Sequence, residues 1–79
     1  MNFMEALSIR LKELLTEKGI TAYKLSSLSG VSEATISDIK LIRNKSVGLD
    51  ILQALAHGMG IGLDEFFNSP LFKYENIID

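Results

Sequence analysis

The sequence predicts an all-α fold, a compact set of five short helices followed by a short C-terminal tail. Three observations predict it. Apolar residues recur at three- and four-residue steps, glycines punctuate that rhythm at helix-length intervals, and no stretch alternates apolar and polar residues as a half-buried strand would. The chain has 79 residues, enough for one core. A domain of that size buries only about 60% of its unfolded surface, which favours closely packed helices.

Asn2 followed by Glu5 has the spacing of a capping box and starts the first helix at Phe3. Leu7, Leu11, Leu14 and Leu15 form its apolar stripe, Arg10, Lys12, Glu13 and Glu17 its outer face, and Gly19 its left-handed stop after Lys18. Thr21 caps a second helix over Ala22 to Ser29, with Leu25 and Leu28 facing inward, and Gly30 ends it. Ser32 caps a third helix that runs to Leu41, held by Ile36 and Ile39 with Val31 just before the cap. Arg43-Asn44-Lys45-Ser46 reads as a polar loop. The fourth helix starts at Gly48 and steps through Leu49, Leu52, Leu55 and Ala56, with Gly58 and Gly60 ending it. A fifth, short helix covers Leu63 to Phe67, acidic in its first turn as the helix dipole favours. Pro70 closes the domain, so residues 1–69 form the domain and 70–79 the tail, which shows no helical period. Met1, Met4 and Met59 are expected to fill gaps in the core.

Composition excludes much chemistry. Without cysteine there is no disulfide or thiolate metal site, and a single histidine, His57, removes most metal sites and most histidine-dependent mechanisms. No glycine-rich phosphate loop is present either, so no enzyme and no cofactor are expected. No apolar run approaches the roughly 18 residues of a membrane span, and no signal-peptide pattern precedes the first helix, so a soluble cytoplasmic domain is expected. The formal net charge is −2, unlike the usual strongly basic nucleic-acid binder. Its distribution is polarised: residues 1–20 are neutral, 21–46 carry +2 and 47–79 carry −4.

Residues 21–41 carry the most information. Two helices of about eight and nine residues flank the three-residue turn Gly30-Val31-Ser32, which forces a steep crossing. The second of them packs by Val31, Ile36 and Ile39 and presents Glu33, Ala34, Ser37 and Asp38, short side chains suited to a partner rather than a core.

In order and spacing, the run from Leu7 to Phe67 resembles the lambda-repressor/Cro-type helix-turn-helix domain, also called the xenobiotic-response-element type. The matching residues are Arg10-Leu11-Lys12-Glu13-Leu14, Lys18-Gly19-Ile20-Thr21, Leu25, Ser29-Gly30-Val31-Ser32, Thr35-Ile36-Ser37, Leu55-Ala56, Gly60-Ile61 and Leu63-Asp64-Glu65-Phe66-Phe67. They cover roughly three quarters of the chain. The resemblance implies a lambda-repressor-like fold and a sequence-specific, repressor-like transcriptional regulator from a bacterium or phage. Its partner would be double-stranded DNA, and it would work as a homodimer. Three departures stand out. Ala22 replaces a frequent Gln, Leu15 and Lys40 replace a frequent Arg–Glu pair, and the usual glycine after the third helix is missing.

On this reading the third helix enters the major groove with Glu33, Ala34, Thr35, Ser37 and Asp38 toward the bases. Thr21, Lys24, Ser32, Lys40, Arg43 and Lys45 hold phosphates. Carboxylates at 33 and 38 can accept from cytosine N4 amino groups; the plainer alternative is a solvated acidic face. The dimer interface is expected at Phe66, Phe67, Leu71, Phe72, Tyr74, Ile77 and Ile78, unless the tail folds back and caps the core. A competing reading is a protein-interaction module or antitoxin-type partner that keeps the fold with weak DNA binding.

Overall fold

The capping box forms as the spacing requires: Glu5 N–H donates to Asn2 Oδ1 at 2.8 Å, and Asn2 N–H donates to Glu5 Oε1 at 2.9 Å. These bonds satisfy two donors that a helix start otherwise leaves open. They begin helix α1, Phe3–Lys18. The structure is a computed structural model and describes residues 1–78. Along it follow α2 (Ala22–Ser29), α3 (Glu33–Lys40), α4 (Leu49–Gly58) and α5 (Leu63–Phe66). Two single-turn 3-10 helices, Pro70–Phe72 and Tyr74–Asn76, follow α5. The five-helix expectation holds, and no strand occurs among the described residues.

The core forms where the helices meet. Leu7, Leu11 and Leu14 of α1, Leu25 of α2, Ile36 and Ile39 of α3, Leu52 and Leu55 of α4 and Phe66 of α5 are almost wholly buried. Two inward assignments fail. Leu28 is 51% exposed and Leu49 68% exposed, because each sits one step outside the stripe that its helix turns to the core. Met4 and Met59 are buried as expected, whereas Met1 is exposed at the chain start.

Arg10 departs from the expected outer face. Its Nε donates to Phe66 O at 2.7 Å and its Nη2 to Glu65 O at 2.9 Å, so one guanidinium closes the open carbonyl end of α5. Ser8 is the buried polar residue of the core; its Oγ donates to Lys40 O at 2.6 Å and ties α1 to the end of α3.

The tail is ordered by local chemistry that an apolar-period search does not see. Ser69 Oγ accepts from Leu71 N–H at 3.2 Å, Pro70 starts the turn, and Asn76 Nδ2 donates to Pro70 O at 2.6 Å. The tail folds back on the domain through Phe72, whose ring lies 4.9 Å from Phe67 and 6.1 Å from Phe3, centroid to centroid. The two ends of the described chain also meet, Ile78 N–H donating to Met1 O at 2.8 Å.

Gly58 and Gly60 have different tasks. Gly60 takes the left-handed backbone that ends α4, with φ 77°. Gly58 is still helical, and its missing side chain lets α4 approach α2: a Cβ there would lie 2.8 Å from Ser29 Cβ and 3.0 Å from Ser29 Cα. By helix propensity alone, Gly58→Ala would stabilise by up to about 1 kcal/mol. We expect it instead to destabilise the domain by about 1–3 kcal/mol, because backbone must move to admit the methyl group. Urea denaturation of the two proteins measures the sign.

Candidate nucleic-acid interface

The site begins with the corner between α2 and α3. Gly30 supplies a φ of 77° that an L side chain resists, and Ser29 Oγ accepts from Val31 N–H at 3.1 Å, fixing the turn. Val31 is buried, which seats the corner on the core. Ser32 then caps α3, its Oγ accepting from Thr35 N–H at 3.1 Å and donating to Thr35 Oγ1 at 2.9 Å.

With Ile36 and Ile39 turned inward, the outer rows of α3 are set by helical geometry. Glu33 lies in line with Ser37, and Ala34 in line with Asp38. Glu33 and Ala34 are exposed, while Ser37 and Asp38 are half-buried. Thr35 stands apart, its hydroxyl engaged by the cap.

The expected phosphate-binding residues fall into separate places. Thr21 and Lys40 come together, lining a recess of about 600 Å³ with Ala22, Gly19 and Lys12. The sequence places Lys12 on the outer face of the first helix and not with the phosphate-binding residues, because only the packing of α1 against α3 brings it there. Arg43 and Lys45 line a second recess of about 530 Å³, beside Asn2 and Ile42. Lys24 is exposed on α2 and lines neither recess. Thr21 also caps α2, accepting from Lys24 N–H at 3.1 Å, so the start of α2 borders the first recess through Thr21 and Ala22.

The end of α3 has an uncommon construction. Arg43 N–H donates to Asp38 O at 2.9 Å and Ile42 N–H to Ile39 O at 3.3 Å, the paired bonds of a Schellman closure. The same pattern ends α1 at Gly19 and α4 at Gly60, where glycine holds the left-handed position. Here that position belongs to Ile42, with φ 55°. A β-branched residue in this region is strained. The apolar contact that usually accompanies the motif is replaced by an ion pair, Arg43 Nη1 to Asp38 Oδ1 at 3.2 Å.

Of the residues expected at a dimer interface, Phe66 is a correction. It is 1% exposed and belongs to the protomer's own core. Phe67 and Phe72 stack edge-on with each other, Leu71 and Ile77 are half-buried, and Tyr74 and Ile78 are 97% and 77% exposed. His57 is exposed, and no group of metal-ligating side chains occurs among the described residues. No helix among them is long and apolar enough to cross a membrane.

A short helix packed on its partner across a three-residue turn, with a small polar outer face and cations at its far end, is the arrangement of a helix-turn-helix. The family model that describes the Cro/C1-type HTH DNA-binding domain matches residues 10–69, and the chain belongs to that family. No curated protein matches the chain.

The strain at Ile42 is measurable by comparing two truncations that remove the same apolar contacts. Ile42→Gly should be more stable than Ile42→Ala by about 1 kcal/mol, reversing the order seen in a helix interior. Thermal unfolding of the pair decides it.

Proposed function

We propose that this protein is a repressor-like transcriptional regulator that reads double-stranded DNA with α3. The observation that carries the reading is the division of α3 itself. Its apolar residues are sealed in the core, and Glu33, Ala34, Ser37 and Asp38 are left as an outer face free of bulky side chains, able to approach base edges. Thr21, Lys12 and Lys40 on one side, and Arg43 and Lys45 on the other, are the candidate phosphate contacts, with Lys24 and Ser32 as further candidates. Selection from a random duplex pool at low salt tests the reading directly: enrichment of one sequence supports it, and retention without enrichment overturns sequence specificity.

A second reading, a protein-interaction module or antitoxin-type partner, rests on the two carboxylates of α3, which face any phosphate backbone with the wrong sign. Failure to retain any duplex would favour it.

One domain of this size spans a single half-site, so the proposal includes a two-fold dimer on a roughly palindromic operator, with half-sites about 34–36 Å apart. Tyr74 and Ile78, left exposed after Phe72 folds back, are the candidate contacts. Sedimentation should show a dimer for the full chain and a monomer for Tyr74→Ser/Ile78→Ser, a variant that keeps Phe72 in place. A monomer in both refutes the dimer; a dimer in both moves the interface elsewhere.

Lys40→Ala should weaken every duplex alike and flatten the log–log salt dependence by about one unit, the signature of one lost phosphate contact. Filter binding across a salt series measures both.

A further inference from the structure

Arg43 and Asp38 are joined twice, by the backbone bond that closes α3 and by the side-chain ion pair at 3.2 Å. The pair joins a residue of the base-facing row to a residue of the cationic loop. While it holds, Asp38 has one carboxylate oxygen occupied and Arg43 brings no net charge to a neighbouring phosphate. The Arg43 side chain is 58% exposed and that of Asp38 34%, and an ion pair this open to solvent is weak enough to be exchanged for another partner.

We propose that this pair gates DNA binding by sequence, a role that rests on the DNA-binding reading above. On an unmatched duplex the pair stays closed and presents no net charge to the backbone, so neither residue adds to the attraction. On a duplex that places a base-edge donor opposite Asp38, such as the N4 amino group of cytosine, the carboxylate accepts from the base instead. Arg43, released, turns its guanidinium donors to the nearest phosphate oxygens. A base contact and a phosphate contact are then made together or not at all. The short Asp38 side chain suits this exchange, since its position is fixed by α3, whereas Arg43 is long and sits in a loop.

The test uses the full chain with two probes, the duplex enriched from a random pool and a scrambled duplex of equal length. The wild-type salt slope should be steeper by about one unit on the enriched duplex, because Arg43 displaces a counterion only there. Arg43→Ala should weaken the enriched duplex about five- to tenfold and the scrambled one clearly less, since there it uncovers only the Asp38 carboxylate. Asp38→Ala should tighten binding to the scrambled duplex several-fold and abolish the difference in slope. Thermal unfolding confirms that both variants are folded, as the backbone closure of α3 needs neither side chain. Equal slopes for the wild type on both duplexes, or an equal loss from Arg43→Ala on both, would make Arg43 an ordinary phosphate contact and overturn the gate alone. Asp38→Ala weakening both duplexes alike would make Asp38 merely structural and also overturn it. Absence of any enriched duplex would bring down the gate and the sequence-specific reading together.

Discussion

The structure depends on holding an eight-residue helix still. A helix as short as α3 has no stability of its own in water, since isolated helices below about 12–15 residues are marginal. Its order comes from outside. Ile36 and Ile39 fix its inner side, Ser32 satisfies its start, and its end is tied by Ser8 to α1 and closed by Arg43 and Ile42. The outer face is therefore held in place mainly from the inner side and the two ends, with Asp38 of that face also paired to Arg43.

Helix α1 supplies most of these supports. Its inner stripe packs the core, Ser8 reaches α3, and Phe3 receives the tail. Arg10 does for α5 what that helix cannot do for itself. Backbone N–H groups reach Leu63 O and Glu65 O, and two N–H groups of one guanidinium add bonds to Glu65 O and to Phe66 O at the helix end. Glu13, itself about half exposed, lies 3.6 Å from the same guanidinium, a long contact that adds little beside the two carbonyl bonds.

The helices were legible in the sequence because their ends are written in local chemistry. Asn2 with Glu5, Thr21, Ser32 and the glycines at 19, 30 and 60 each act within four residues of their own position. What was hidden acts across the fold. Arg10 looked like a surface cation because its partners are more than fifty residues away, and Ser8 looked neutral because its acceptor lies at the end of α3. Gly58 read as a stop, although its role is the close approach of Ser29. The same division holds at the site. The outward row of α3 follows from helical spacing, but the gathering of Lys12 with Thr21 and Lys40, and the pairing of Asp38 with Arg43, exist only once α1, α2 and the loop are in place.

A net charge of −2 is an awkward inheritance for a member of a DNA-binding family, and the placement of charge makes it workable. The acids of residues 47–79 lie beyond α3 in sequence, on α4, α5 and the tail, while the cations of residues 21–46 lie on α2, at the end of α3 and in its loop. Even so the cations are few, and one of them is already paired with Asp38. The sequence-independent attraction to DNA, which scales with the phosphates neutralised, would under the proposed function be correspondingly small. Under the proposed function that is an advantage as well as a limit. Weak attraction to generic duplex leaves a larger share of any affinity to base edges and to the doubling of contacts in a dimer, and the ratio of specific to non-specific binding is what selects one site among many.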